Sequence, residues 1–360
     1  MMASAVRAVG SGRFAAALKR SVSSPLDVVL TVVVAAIIVA LAFPLVRWAF
    51  LDAVWTGTAE TCRAAGGACW AFVRQKLEFI MFGLYPPAER WRAGLAVAVM
   101  VGLTMLTAWP RAWRRRLIVA WAVGLALAFW LMRGGAGLTP VPSRLWGGLP
   151  ITLSLTAVGL ALGFPLAILL ALGRRSSMAL PRMVCTAFVE IVRGVPLIAV
   201  LYVAALVVPL ALPPGVEIDK LFLAQGAVIV FASAYLAEAV RSGLQMVPRG
   251  QRDAARALGL GTWQVNRLVI LPQALRIVVP SFVSIAVGFF QDTSLVVIIG
   301  LFDLLNTARV AAQDPQWLGF HTEAFVFVGL LYFLGSTITS QYGLWLERRN
   351  QTGPSTGTVA

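Results

Sequence analysis

The chain has 360 residues, of which 59% are hydrophobic and 12% are charged, and its formal net charge is +15. Because a soluble globular domain carries about 25% charged residues, this composition excludes a soluble enzyme of ordinary type, a nucleic-acid-binding domain and a disordered chain. The 3 cysteines are too few for a disulfide scaffold. The composition therefore predicts an all-α, polytopic helical membrane protein.

Apolar segments long enough to cross a bilayer follow one another along most of the chain. A span needs roughly 20 mostly apolar residues, and a helix satisfies its own backbone hydrogen bonds in lipid, whereas an open sheet does not. We predict eight transmembrane helices, which lie at 28–50, 93–109, 115–132, 151–172, 183–211, 221–241, 272–300 and 323–346.

Positive charge is concentrated in alternate segments between these spans. Cytoplasmic loops carry an excess of lysine and arginine, which sets the orientation of the chain. The basic residues of the first three such segments are Arg7, Arg13, Lys19 and Arg20, then Arg111, Arg114, Arg115 and Arg116, then Arg174, Arg175 and Arg182. Acidic residues are more frequent on the opposite side. We therefore predict that both termini are cytoplasmic and that membrane lipid surrounds the spans.

A segment rich in glycine and proline, at 133–150, separates the first three predicted spans from the last five. We predict an N-terminal extension at 1–140, a five-span core at 145–346 and a cytoplasmic tail at 347–360.

The extension contains a long outer loop at 51–92, which holds Cys62 and Cys69. A separation of seven residues on a helix places the Cα atoms about 10 Å apart, whereas a disulfide needs less than about 7 Å. Gly66 and Gly67 lie between the two cysteines, and a turn there closes the gap. A disulfide and two free thiols are both open at this point.

Sequence motifs for catalysis and nucleotide binding are missing. The sequence has no G-x-x-x-x-G-K-[ST] and no G-x-S-x-G, and its single histidine, His321, excludes a cluster of histidine metal ligands and a Ser-His-Asp triad. We therefore predict that the chain is not an enzyme, that it holds no cofactor or metal, and that it binds no nucleic acid.

The longest inner loop, 242–271, predicts a short amphipathic helix that begins near Pro248 and ends at Gly259. Arginines at positions spaced by three and four residues share one face of this helix, namely Arg249, Arg252 and Arg256. A small apolar face lies beside them and consists of Ala254, Ala255 and Leu258. Two interpretations are open: another protein covers the apolar face, or the arginines hold the helix on anionic lipid.

Residues 253–272, DAARALGLGTWQVNRLVILP, resemble the EAA loop of ABC importer permeases. In that pattern the EAA triplet is followed after three residues by glycine, and after nine more by isoleucine, any residue and Leu-Pro. The matching residues here are Asp253, Ala254, Ala255, Gly259, Val269, Leu271 and Pro272. The chain departs from the pattern in having aspartate for glutamate and valine for isoleucine.

Further core segments are similar to the polar amino-acid permeases, and they read GGLPITL at 147–153, RGVPL at 193–197, YLAE at 235–238 and QDTSL at 291–295. The extension and its cysteine-containing loop resemble the larger permease subunit of general L-amino-acid importers, or the sister group for glutamate, glutamine, aspartate and asparagine. The family usually has lysine where this chain has Gln291, which leaves the charge partner of Asp292 open.

The resemblance implies a type I ABC importer transmembrane core that carries L-amino acids across a bacterial inner membrane. It implies an ATPase subunit that binds ATP and Mg²⁺ and docks on the EAA coupling loop at 249–272. A sister permease, forming a heterodimer, and a periplasmic amino-acid-binding protein are the other implied partners. The alternatives are an ABC permease for another small polar solute and a secondary amino-acid transporter.

Three acidic residues lie within predicted spans, where a charged side chain costs about 2.5–3.5 kcal/mol at the helix centre. Glu190 and Glu238 each have an arginine three residues later, Arg193 and Arg241, which predicts intrahelical ion pairs. Asp292 has no such partner, and Thr293 and Ser294 follow it. We predict that these last three residues line the substrate path, where Asp292 meets an ammonium group. Further candidates for the path are Glu190, Arg193 and Glu238.

Overall fold

The structure is a computed structural model that describes residues 24–113 and 115–351. Among these residues all regular secondary-structure elements are helices, which confirms the prediction of an all-α membrane protein. The basic residues Arg7, Arg13, Lys19, Arg20 and Arg114 and the tail beyond residue 351 lie outside the described part of the chain. The chain divides after Gln75 into two compact units. The predicted domain boundaries remain predictions.

The main helices are α1 (Pro25–Val46), α2 (Ala59–Ala65), α3 (Trp70–Phe82), α4 (Arg90–Thr107), α5 (Arg115–Arg133), α6 (Leu149–Gly173), α7 (Ala179–Gly194), α8 (Leu197–Tyr202), α9 (Lys220–Met246), α10 (Arg249–Ala257), α11 (Leu271–Asp292), α12 (Leu304–Ala311) and α13 (His321–Gln351).

The number of spans is smaller than the predicted eight. Among the described residues, six helices are long and apolar enough to cross a membrane, and a bent pair, Ala179–Gly194 with Leu197–Leu210, counts at most as a seventh. The prediction at 93–109 was wrong by this measure. Its helix, α4, has 18 residues and begins with Arg90 and Arg92, so its apolar part is shorter than a span.

The predicted span at 183–211 is bent by 105° between α7 and α8. The cause is Pro196, which has no N–H and forces the residue before it into an extended conformation. Val195 accordingly has φ −116° and ψ 149°, and it ends α7. The bend lies within the RGVPL segment.

The first unit contains α1, which is followed by a π-helical turn at Arg47–Leu51. None of the apolar residues of α1 is buried, as expected for a helix surrounded by lipid. Ser24 caps its N-terminus by accepting a hydrogen bond from the Asp27 N–H at 3.2 Å. The chain that follows is held against this π turn by a hydrogen bond of 2.8 Å from the Ala68 N–H to the Trp48 carbonyl oxygen.

Cys62 and Cys69 form a disulfide, with their Cα atoms 5.4 Å apart. The two cysteines do not share a helix, because α2 ends at Ala65 and Gly66 adopts a left-handed conformation with φ 66°. This glycine turns the chain, so that Cys69 returns to the side of α2 that carries Cys62. Of the two open alternatives, the structure therefore contains the disulfide.

We expect Cys62→Ser to release the closed loop, at a cost of about 2.5 kcal/mol in the chain-entropy model. Limited proteolysis should then cleave the segment between Asp52 and Cys69 faster than in the wild type. The matched control is Cys185→Ser, which removes the free thiol of α7 and should leave the cleavage rate unchanged. Equal cleavage rates in Cys62→Ser and the wild type would contradict the structural role of the disulfide.

In the second unit, α9 is the central helix, because 61% of its most apolar stretch is buried, compared with 17% for α13. It packs along α6, where glycines let the two backbones approach closely. A Cβ atom at Gly163 would lie 3.1 Å from the Ala232 Cβ, and one at Gly159 would lie 2.6 Å from the Val228 Cγ1. The α6–α9 pair forms the core on which the functional segments are placed.

Arg92 is fully buried at the start of α4. Its Nε lies 3.0 Å from a Glu89 carboxylate oxygen, and its Nη1 donates a hydrogen bond of 3.0 Å to the Thr139 carbonyl oxygen. These contacts join the start of α4 to the segment between α5 and α6. One carboxylate and one backbone carbonyl thereby offset part of the cost of burying this charge.

Candidate functional site

The candidate coupling loop begins directly after α9, where Val247 and Pro248 lead into α10. The helix ends in a Schellman motif, in which the Leu260 N–H bonds to the Ala255 oxygen at 3.2 Å and the Gly259 N–H to the Arg256 oxygen at 2.9 Å. Gly259 has φ 79°, which glycine adopts without the penalty of a Cβ atom. The predicted helix end is therefore a specific left-handed turn.

The two alanines of the triplet face opposite ways. Ala255 is 4% exposed and packs in a small apolar cluster with Val265 and Ile270 and with Val240 and Leu244 of α9. Ala254, by contrast, is exposed, and one turn later Leu258 is 82% exposed. We call Ala254 and Leu258 the free face of α10. Of the apolar face predicted from the sequence, Ala255 is therefore buried against the protein, whereas Ala254 and Leu258 are exposed.

The segment after Gly259 is helical and continuous with the next span. Thr262–Gln264 continues through a π-helical stretch, Val265–Ile270, directly into α11. The predicted span at 272–300 therefore begins about ten residues earlier, at Thr262, and reaches Ile299. Pro272 is the second residue of α11 and directly follows the π-helical stretch, where the regular pattern of backbone hydrogen bonds is already changed. Leu271 packs against the cluster around Ala255.

Glu238 is the centre of a charge network near the ends of α6 and α9. Its carboxylate accepts hydrogen bonds from Arg174 Nη1 at 2.9 Å and from Arg241 Nε at 3.0 Å, and it lies 3.5 Å from Arg193 Nη1. The predicted pair of Glu238 and Arg241 is therefore present. This single carboxylate therefore connects α9 with α7, which carries Arg193, and with the end of α6, which is followed by Arg174.

The predicted intrahelical pair of Glu190 and Arg193 was wrong. Glu190 accepts a hydrogen bond of 2.7 Å from Arg174, which follows α6, and Arg193 turns instead toward Glu238 and lies over the ring of Tyr235 at 5.6 Å. The sequence spacing alone favoured the local pair. The packing of α7 beside α6 and α9 brings a better partner to each side chain.

Asp292 lies at the end of α11 and is partly buried. Gln291 does not reach it, because its amide donates a hydrogen bond of 3.0 Å to the Ser336 Oγ. Thr293 is buried and donates to the Phe290 carbonyl oxygen at 2.8 Å. Across residues 24–113 and 115–351, no hydrogen bond or ion pair joins Asp292 to Glu190, Arg193 or Glu238, so the acidic candidates form two separate groups.

Asp303, which was not predicted from the sequence as a functional residue, is fully buried and caps α12. Its two oxygens accept hydrogen bonds from the Leu305 and Asn306 N–H groups at 3.0 Å and 3.1 Å, and the Tyr332 hydroxyl lies 3.4 Å from Oδ2. Burial raises the pKa of the Asp303 carboxyl above its usual value. An aspartate immediately before a short helix is a capping signal. The helix α12, however, has only 8 residues, in which polar and apolar side chains alternate irregularly, so it was not predicted from the sequence.

Comparisons with known proteins agree with the positions of these segments. A family model described as "binding-protein-dependent transport system inner membrane component" matches residues 163–352. The Escherichia coli K12 inner membrane amino-acid ABC transporter permease protein YhdY is 47% identical over 317 residues, which cover 86% of this chain and 85% of that protein. The Rhodobacter capsulatus glutamate/glutamine/aspartate/asparagine transport system permease protein BztC is 34% identical over 396 residues and 91% of each chain.

A solved structure, "an amino acid ABC transporter with histidines", is also similar. One of its chains is 28% identical and superposes with a TM-score of 0.50, covering 56% of this chain and 92% of that chain.

Proposed function

Because the chain belongs to the family of binding-protein-dependent transport system inner membrane components, we propose that α10 is the element through which a separate ATPase drives it. The chain is a multi-pass inner-membrane protein and a permease subunit of an amino-acid ABC importer. This membership confirms the resemblance of the chain to ABC importer permeases, and the motif at 253–272 supports its assignment as the coupling loop. As a permease, the chain is a non-catalytic membrane component, and we assign ATP and Mg²⁺ to the partner ATPase.

The observation that carries the proposal is the free face of α10. A leucine that is 82% exposed at a helix end, beside an exposed alanine, is an apolar surface that a protein partner stabilises by covering it. Ala255 anchors the opposite side of the helix to α9 and to the lead-in of α11. A force applied to α10 is therefore transmitted directly to two spanning helices.

For the transport path, we propose that Asp292 meets the ammonium group of the amino acid. Its carboxylate has no ion-pair partner within the described residues, whereas Glu238 and Glu190 are neutralised by arginines. Ser294, two residues further, offers a hydroxyl in the same segment. The network of Glu190, Arg193 and Glu238 is then a structural element rather than part of the binding site.

We expect Asp292→Asn to lower amino-acid uptake by at least about tenfold, because a hydrogen bond to a charged group is worth about 1.5–3 kcal/mol. The measurement is uptake of labelled amino acids by cells that express the variant at the wild-type level. Ser294→Ala is the control and should lose much less. Unaltered uptake by Asp292→Asn would remove this residue from the path.

We further propose a sister permease, in a heterodimer, and a periplasmic amino-acid-binding protein as the remaining partners. The names of the relatives support amino acids over another small polar solute, since both YhdY and BztC are described as amino-acid permeases. The experiment that tests this assembly is purification of the tagged chain from its own host, with identification of what accompanies it by mass spectrometry.

The expected companions are a P-loop ATPase and a second, shorter permease. Leu258→Asp places a charge on the free face and should release the ATPase without releasing the sister permease. Leu318→Asp is a matched control, because Leu318 is also exposed, at 58%, but lies between α12 and α13. Retention of the ATPase by Leu258→Asp, or its loss from Leu318→Asp, would contradict docking on α10.

A further inference from the structure

An open cavity of about 380 Å³ lies between α10 and the ends of α6 and α9. Three arginines line it, namely Arg175, which follows α6, and Arg249 and Arg252 of α10. Asp253 is the only acidic residue in its lining. The cavity is within the size range of small-ligand pockets, about 300–1,000 Å³.

The positive charge of this cavity is only partly offset by the protein, since one carboxylate, that of Asp253, lines it beside three arginines. Among the described residues, no carboxylate forms an ion pair with Arg175, Arg249 or Arg252, whereas Arg174 and Arg241 nearby are paired with Glu238. The pKa of Arg175 is lowered by burial and by the neighbouring charges of Arg252 and Arg241. Repulsion between unpaired arginines is relieved when an anion binds among them.

Two features make the site ready for an anion. Arg175 is held in place, because its Nη1 donates a hydrogen bond of 2.8 Å to the Leu244 carbonyl oxygen. The N-terminus of α10 also opens into the cavity, since Pro248 and Arg249 line it. The first N–H groups of a helix have no acceptor within the helix and carry a partial positive charge. Arginines and free N–H groups together are the donors that bind phosphate groups.

The cavity lies where spanning helices end. Gly173 ends α6 and Met246 ends α9, and the lead-in to α11 begins at Thr262. The two helices have 25 and 27 residues, so each is about 40 Å long and exceeds the hydrocarbon core of about 30 Å. We infer that their ends lie at the level of the phospholipid headgroups. Met246, whose neighbours Gln245 and Val247 line the cavity, is 62% exposed and provides an apolar surface beside the charged one.

We propose that this cavity binds the phosphate group of an anionic ligand, either the headgroup of an anionic phospholipid or a free phosphorylated solute. The assignment uses the membrane location of the chain. It shares the helix α10 with the proposed ATPase contact but uses other residues of that helix. Arg249 and Arg252 thereby have a role distinct from that of the free face, which is formed by Ala254 and Leu258.

The test uses the purified full-length chain in a neutral detergent and native mass spectrometry. The probes are phosphatidylglycerol, phosphatidylcholine as a zwitterionic control, and glycerol phosphate as the free form of the same chemistry. The wild type should retain phosphatidylglycerol and not phosphatidylcholine. Competition by glycerol phosphate would identify a free solute as a source, and its failure to compete would identify the lipid.

The double variant Arg249→Gln/Arg252→Gln should bind phosphatidylglycerol at least about tenfold more weakly, because each arginine near an anionic surface contributes a severalfold factor. Arg249→Lys/Arg252→Lys keeps the charge and should retain most of the binding, which shows that the loop is folded. The matched control is Arg267→Gln, an exposed arginine that lies outside the cavity.

Several results would overturn the proposal: equal binding by the glutamine variant and the wild type, binding of neither phosphate probe by the wild type, or equal retention of phosphatidylcholine. If the glutamine variant loses the ATPase but keeps phosphatidylglycerol, the arginines serve a protein partner and the anion site is wrong. Failure of ATPase docking on α10, tested by Leu258→Asp, would leave the lipid measurement unaffected, so the two proposals are tested separately.

Discussion

Replacing Gly259 by valine should uncouple the permease from its ATPase. The backbone at Gly259 has φ 79°, and a left-handed conformation costs an L-residue roughly 1–2 kcal/mol, with β-branched side chains at the unfavourable end. About 2 kcal/mol corresponds to roughly a thirtyfold shift toward a distorted turn. We therefore expect a loss of at least about tenfold in ATPase co-purification and in ATP-driven uptake.

The matched control for this experiment is Gly259→Asn, because asparagine tolerates the left-handed conformation. A Cβ atom at this position meets nothing within 4 Å, so the strain comes from the backbone and not from a clash. Asparagine should therefore retain most of the wild-type activity. Equal losses for valine and asparagine would place the cause in the added side chain and would contradict the role of the turn.

Replacing Glu238 by glutamine should destabilise the permease by about 3 kcal/mol. The carboxylate compensates Arg174, Arg193 and Arg241 together, and its side chain is 24% exposed. Removing one partner of a buried ion pair costs about 3–5 kcal/mol, because the other charge is left uncompensated, and partial exposure places this site at the lower end. The measurement is the midpoint of unfolding in a denaturing detergent titration.

Glu190→Gln is the control for Glu238. Glu190 contacts only Arg174 of the same network, and its side chain is 59% exposed, so we expect a loss of less than about 1 kcal/mol. If both variants shift the midpoint equally, the network does not depend on Glu238 as its centre. If Glu238→Gln leaves stability unchanged and abolishes uptake, Glu238 belongs to the transport path after all.

The sequence was sufficient to predict the class of the fold and the position of the short helix α10, because both depend on local patterns. Apolar runs define spans by their length alone, and the spacing from Asp253 to Pro272 lies within one continuous segment. The end of α10 at Gly259 was predictable for the same reason, since a glycine after a short helix favours a left-handed turn. The family membership shown by the relatives agrees with these local signals.

The features that the sequence did not reveal depend on contacts between distant segments. Arg174 and Glu238 are 64 positions apart, so no spacing rule could choose this pair over the local one. The exposure of Ala254 and the burial of Ala255 likewise follow from where α9 and α11 lie. The bend before Pro196 was not predicted, because an apolar run does not show where a helix breaks. The apolar part of α4 is shortened by arginines at its start, and both features make the number of spans smaller than the predicted eight.

The most direct test of the account is uptake of labelled L-amino acids by liposomes that contain the complete assembly, with ATP enclosed on the side of the ATPase. We expect uptake that requires both ATP and the amino-acid-binding protein, and that is lost in the Gly259→Val assembly. Uptake by this chain in the absence of ATP, driven by an ion gradient alone, would contradict the assignment as an ABC importer permease.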